Sequence, residues 1–243
     1  MRTTAVVSQV GGTGKTSLSL ALGATFAAQG HLACVVDLDF GGSQMAGLFP
    51  ECNTYHSNQL LSLARGVVEK VERLKLGMLY KEQGTHLVVA DPKLDKRIAM
   101  LGQQGIGNVH SLSHALLKLV LRLKGLGIEQ LILDTPPGFA WWTEAAMRVV
   151  GWESGNLVCC ARENVSEVDP FIFFTRSCGY PTPALVLNKQ TATGNPAPVN
   201  RTLAKLVITV SSARMPLLQA PGAASQVGNQ AELDMIAEWV TTH

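Results

Sequence analysis

The sequence predicts an α/β protein: a doubly wound, mostly parallel sheet flanked by helices. Three observations carry that expectation. Strand-like and helix-like segments alternate along the chain, the pattern of helices covering a parallel sheet. A turn rich in glycine, Gly11-Gly12-Thr13-Gly14, joins the first strand to the first helix. Polar residues of chemical interest, Asp37, Asp134 and Asn188, fall at the ends of strand-like runs, where open sheets hold their ligands.

The elements follow in order. Residues 3–8 form a short apolar strand, and 15–28 an apolar-rich helix that Gly30 and His31 end. Residues 32–37 form a second strand, so the first 37 residues read as one strand–helix–strand unit with parallel strands. A helical pattern with mixed charge covers 56–83, and 86–90 is a further strand. Leu112, Leu116, Leu119, Val120 and Leu123 make a helical stripe over 111–124, stopped by Gly125 and Gly127. Strands over 130–134, 156–161, 184–188 and 206–210 alternate with helices over 141–150, 165–177 and 226–240. The loop 189–200 is polar and turn-rich, and it reads as a surface excursion within a single domain over 1–243.

Composition narrows the function classes. Hydrophobic residues make up 47% of the 243 and charged residues 16%, against a usual charged share of about 25%. Such a chain buries a large core and is neither disordered nor a coiled coil. Lys and Arg number 20 and Asp and Glu 18, for a net charge of +2, so no global basic field marks a nucleic-acid binder. Local basic groups remain candidates for phosphate-backbone contact: Lys93, Lys96 and Arg97, and separately Lys118, Arg122 and Lys124. Solvated helix faces are the simpler reading of them.

The five cysteines are odd in number and lack C-x-x-C spacing, which speaks against a disulfide framework or a four-thiolate zinc site. Reduced thiols and a cytoplasmic location are the expectation. Residues 16–36 carry no formal charge but hold Ser17, Ser19, Thr25 and Gln29, and Gly30-His31 divides them. They read as helix, turn and strand rather than a membrane span. Lys15 interrupts the apolar stretch after Arg2, which argues against a signal peptide.

The chemistry concentrates in Gly11-Gly12-Thr13-Gly14-Lys15-Thr16. Glycines let successive backbone N–H groups and a helix N-terminus face an anion. Lys15 is placed to reach the β- and γ-phosphates, and the Thr16 hydroxyl to bind Mg²⁺. Gly11, Gly12, Thr13, Gly14, Lys15, Thr16 and Ser17 are therefore the candidate phosphate-binding set. The common eight-residue phosphate-loop spacing asks for glycine at position 9, where this chain has Gln9.

That spacing resembles the deviant phosphate loop of the ParA/MinD family of P-loop ATPases, K-G-G-x-G-K-[ST]. Asp37-Leu38-Asp39 resembles the family's D-x-D segment, and Asp134-Thr135-Pro136-Pro137-Gly138 its D-T-P-P switch. The resemblance covers about 1–190 in moderate detail. It implies ATP and Mg²⁺ as ligands, with Lys15 and Asp39 as the catalytic residues. Thr16, Asp37 and Asp134 would hold the metal, the two carboxylates through water, and Asp39 would orient the attacking water. It also implies that Asn188 hydrogen-bonds the adenine and that residues 214–218, with Pro216, cover the base. As a strand end, Asn188 is equally a turn former.

One departure stands out. The family's first motif lysine, which reaches the partner's phosphates across a dimer, is Val10 here. The resemblance implies an ATP-dependent homodimer and a nucleotide-gated switch that positions nonspecific DNA or a cargo or adaptor protein; Val10 puts the dimer and the hydrolysis rate in question. Two other readings use the same fold: an ATPase of metalloenzyme or cofactor maturation, and a small-molecule kinase or synthetase. Trp141-Trp142, after the Pro-Pro-Gly turn, are either core and helix-start residues or an aromatic anchor for a partner. The C-terminal segment carries Glu232, Asp234 and Glu238, against the basic face of a membrane-surface helix, so no membrane insertion is expected.

Overall fold

The structure is a computed structural model that describes residues 1–52, 56–61, 71–91, 109–161, 175, 177–180, 184–190, 206–211 and 230–242. The strands are β1 (Arg2–Val7), β2 (Ala33–Asp37), β3 (Tyr80–Glu82), β4 (Thr85–Val88), β5 (Gln130–Asp134), β6 (Asn156–Ala161), β7 (Ala184–Gln190) and β8 (Leu206–Ser211). The helices are α1 (Lys15–Ala28), α2 (Gln44–Leu48), α3 (Ser57–Leu60), α4 (Val109–Gly125), α5 (Trp141–Trp152) and α6 (Gln230–Thr242).

Among the described residues the strands form one sheet in the order β3-β4-β2-β5-β1-β6-β7-β8. Every pairing is parallel except β3 with β4. The expected doubly wound α/β architecture is therefore present.

Strand side chains alternate between two cores, as the period of a strand requires. Ala5, Val7, Cys34, Val36, Leu131, Leu133, Leu157 and Cys159 face the layer that includes Leu116, Leu119, Val120 and Leu123 of α4 and Ala146 and Val150 of α5. Val6, Val35, Ile132, Val158 and Cys160 face the other layer, with Leu18, Leu22 and Phe26 of α1 and Ile236 and Val240 of α6. The α1 helix lies close against the sheet at Gly23, where an added Cβ would come within 2.8 Å of Thr85 Cγ2 and 2.9 Å of Val35 Cγ2. A larger residue would push helix and sheet apart. The acidic C-terminal helix uses its apolar face on this layer, and Trp239 is buried with it. Among the described residues no helix is long and apolar enough to cross a membrane.

Several expectations change in detail. Of the helix expected over 56–83, residues 62–70 lie outside the described residues; among the described ones 57–60 and 71–73 are helical, Leu76–Met78 is a 3₁₀ turn, and Tyr80–Glu82 is strand β3. The cause is a two-residue reversal at Gln83 and Gly84, whose φ angles are +46° and +83°. Two left-handed residues in succession make the tight turn of a hairpin, so the chain pairs β3 antiparallel with β4. This edge strand is short and carries exposed Lys81, which blunts edge-to-edge association. The short α2, capped by the Ser43 hydroxyl accepting the Ala46 N–H at 3.0 Å, was not foreseen.

The helix expected over 165–177, apart from residues 175 and 177, lies outside the described residues, as do Lys93, Lys96, Arg97, residues 191–200 and 214–218, and the 226–229 start of the last helix. Of the second basic group, Arg122 is engaged in structure: its guanidinium donates twice to the Leu74 carbonyl. Lys124 pairs with Glu153 at 3.6 Å.

Candidate functional site

The sheet order sets the site. β2, β5 and β1 are neighbours, so the chain ends that follow Asp37, Asp134 and Val7 emerge side by side. Asp37 is in register with Asp134, and Asp134 with Val6. The three motifs, far apart in sequence, thus meet at one edge.

The glycine-rich loop leaves β1 and turns into α1 through left-handed residues. Gly12 has φ +69° and Gly14, the residue before α1, has φ +89°. A side chain at either position would be strained. Lys15 opens the helix and is only 7% exposed. A Cβ placed on Gly11 would meet nothing within 4 Å, so the space over the loop is open to a ligand. Beneath the loop, the Cys160 thiol of β6 donates to the Thr13 carbonyl at 3.2 Å.

Asp134 is held by two hydroxyls of α1. Thr16 Oγ1 donates to Oδ2 at 2.7 Å and Ser19 Oγ to Oδ1 at 3.1 Å. Hydrogen bonds to an ionised group contribute about 1.5–3 kcal/mol each, so both carboxylate oxygens are fixed. Burial still pushes the Asp134 carboxyl above the ordinary carboxylate range, opposed by Thr16, the Lys15 charge and Ser19. Asp37 is raised as well, by burial first and then by the negative charge of Asp134.

Asp37 has its own shell. Its carboxylate accepts the Ser43 hydroxyl at 2.5 Å and the Asp39 N–H at 2.9 Å, and Ala90 N–H approaches at 3.4 Å. Its carbonyl accepts the Ser57 hydroxyl. Asp39 Oδ1 in turn accepts the Gly42 N–H at 3.1 Å, which fixes the loop as a turn while leaving the side chain partly exposed.

The segment after Asp134 is tied to the loop strand. Thr135 donates to the Val6 carbonyl from both N–H and Oγ1, and Gly138 N–H donates to the Ser8 carbonyl at 2.8 Å. Gly138 has φ +73°. The tryptophan pair divides its duties: Trp142 packs edge-on against Phe40, whereas Trp141 is 49% exposed and Phe139 43%.

The structure therefore brings together Gly11, Gly12, Thr13, Gly14, Lys15, Thr16, Ser17, Asp37, Asp39 and Asp134. Asn188 lies on β7, where pairing with β8 shifts between Leu187 and Gln190. Pro216 is outside the described residues. Ser19, Ser43 and Cys160 were missed by sequence reasoning. Ser19 had a readable signal, since it follows Thr16 by three residues on one helix face. Ser43 is a helix N-cap six residues after Asp37, a local signal that was not used; Cys160 had none, because its partner Thr13 is 147 positions away.

The residues fit a nucleotide triphosphate with a divalent ion. Burial raises the proton affinity of both carboxyls at these adjacent strand ends, and the charge of Asp134 raises that of Asp37 further; a dication held near them and Thr16 would offset that cost. Lys15 and the left-handed loop supply cation and backbone donors for phosphate.

Comparisons with known proteins agree. A family described as the CobQ/CobB/MinD/ParA nucleotide binding domain matches residues 4–229. A "ParA family protein" of Chlamydia trachomatis serovar D is 34% identical over 151 residues, covering 60% of this chain and 54% of that protein. The chain thus spans about half the length of this curated relative. The fold of the cell division ATPase MinD of Pyrococcus furiosus superimposes with a TM-score of 0.69 at 14% identity, over 98% of this chain and 99% of that one. Cobyrinic acid a,c-diamide synthase of Mycobacterium smegmatis, solved with bound ADP and magnesium, gives 0.67 at 18% identity, over 100% and 95%. With its loop, its two strand-end aspartates and its strand order all in place, the chain belongs to the CobQ/CobB/MinD/ParA nucleotide-binding family.

Proposed function

We propose that this protein is a Mg·ATP-dependent ATPase of the ParA/MinD kind, a slow nucleotide-gated switch that positions DNA or a protein assembly. The observation that carries the reading is the Thr16–Asp134 hydrogen bond at 2.7 Å beside Lys15. It joins the helix that opens the phosphate loop to the strand end that faces the metal position. Fold likeness to a MinD ATPase and to a synthase with bound ADP and magnesium supports the choice of ligand.

The loop geometry and the family resemblance together support these roles. Backbone N–H groups of Gly11, Gly12, Thr13 and Gly14 cradle phosphate, and Lys15 neutralises the β- and γ-oxygens. Magnesium, when bound, would neutralise phosphate charge. Thr16 would hold the ion through its hydroxyl oxygen, with Ser19 keeping Asp134 aimed. Asp37 and Asp134 would hold it through water. Asp39, fixed by Gly42 and partly exposed, orients water for attack on the γ-phosphate. Asn188 and Pro216 are assigned to the base by the family resemblance alone.

Val10 favours keeping a second reading, a small-molecule synthetase on the same fold, because it removes the lysine that a sandwiched dimer uses. One experiment separates them. ATP hydrolysis and sedimentation with nonspecific DNA are measured together, with ATP, ADP and no nucleotide. The switch reading requires hydrolysis that Lys15→Ala abolishes and a DNA- or self-association that appears only with ATP. Hydrolysis with no nucleotide-dependent association of either kind refutes the switch and favours the synthetase.

A further inference from the structure

We propose that His110 and His114 form a bidentate site for a borderline transition-metal dication of the zinc, nickel or copper class, separate from the phosphate loop. The two residues stand one turn apart on α4, where side chains four apart share a face. Both are exposed. Their Nε2 atoms approach to 3.1 Å, with ring centroids 4.4 Å apart and planes at 80°. Without metal, one imidazole donates to the other.

The spacing suits a shared ion. With metal–nitrogen bonds of about 2.0–2.1 Å, nitrogens 3.1 Å apart subtend an angle of about 95–102° at the ion. That lies between the square or octahedral and tetrahedral values, so both lone pairs reach one ion after a small rotation of each ring. Imidazole selects zinc, copper and nickel over magnesium, which prefers oxygen ligands. The site therefore does not compete for the ion of a nucleotide.

A neighbour orders the pair. Trp152, at the end of α5 and 46% exposed, lies with its ring centroid 5.4 Å from that of His114, at 38° between planes. The indole restricts His114 and stands close enough to report on the ion. Among the described residues no third His, Cys, Asp or Glu completes a group, so water fills the remaining positions and the ion exchanges.

The test uses the whole chain without an affinity tag, in millimolar Mg²⁺. Ni²⁺ is titrated by calorimetry, and Cu²⁺ by tryptophan fluorescence. One equivalent of Ni²⁺ should bind. His110→Gln and His114→Gln should each weaken it by about 10²-fold or more, since a preset second ligand strengthens binding by about 10²–10⁴. Lys15→Ala should bind Ni²⁺ as the native chain does. Trp152→Phe should keep Ni²⁺ binding and lose the largest part of the Cu²⁺ quench. Both histidine variants should melt as the native chain does without metal, and Ni²⁺ should raise the melting temperature of the native chain but of neither histidine variant. Native-like Ni²⁺ affinity in either histidine variant, or no one-equivalent binding in the native chain, overturns the site.

Discussion

Phe40 and Trp142 meet edge to face, with ring centroids 5.0 Å apart and planes at 70°. Phe40 follows Asp39 in the loop after β2, and Trp142 stands in the first turn of α5, after the Pro-Pro-Gly segment. The contact joins the loop that carries the candidate water-orienting residue to the helix that follows Asp134. The packed rings hold the two segments in direct contact.

Phe40 is 3% exposed, so Phe40→Ala should destabilise by about 3–5 kcal/mol. A double-mutant cycle with Trp142→Ala should leave a coupling of about 0.5–1.5 kcal/mol, the usual range for an aromatic pair. Urea unfolding of the four proteins reads both. Strict additivity shows that the two segments are not energetically joined.

Lys15→Ala should abolish ATP binding, because it removes the cation at the mouth of the loop. Calorimetric titration with Mg·ATP checks this. Native affinity in the variant contradicts the phosphate-loop assignment.

Asp39→Ala should keep Mg·ATP affinity and slow turnover by about 10²–10³-fold, the scale of one lost preorganised group. Single-turnover hydrolysis separates the two quantities. Unchanged turnover makes Asp39 a turn residue that serves only Gly42 and the loop.

Burial raises the Asp37 and Asp134 carboxyls, and the charge of Asp134 raises Asp37 further, so the folded, metal-free protein binds more protons than the unfolded chain. Its stability from these groups is greatest below the ordinary carboxylate range and falls as pH rises through that range toward their raised values. Asp37→Asn should flatten this fall. Denaturant midpoints across pH 4 to 7 (about the span in which carboxyls so raised titrate) should show it, and added Mg²⁺ should restore stability at the upper end.

Val10→Lys tests the missing family lysine. If its loss alone weakens the dimer, the variant should dimerise with ATP at least tenfold more tightly, corresponding to about 1.5–3 kcal/mol for a charged contact. Sedimentation with ATP measures it. A variant that stays monomeric and binds nucleotide less well shows that position 10 is a packing site, and any dimer is then built from other residues.

The sequence by itself determined the alternating architecture, the two-sided strands and the three motifs. Each rests on local physics: period-two apolar runs, a glycine turn before a helix, and acidic strand ends. α1 and β5 begin and end where their patterns do, because helix caps and strand ends are written in adjacent residues. Only the tertiary structure decided which motifs meet. Thr16 and Asp134 are 118 positions apart, and their hydrogen bond exists because β5 lies beside β1. Cys160 reaches the loop only because β6 flanks β1 on its other side. The β3–β4 hairpin was hidden for a related reason. Its mixed-charge residues follow no clean period, and pairing at the sheet edge outweighs the weak helical preference read from 56–83.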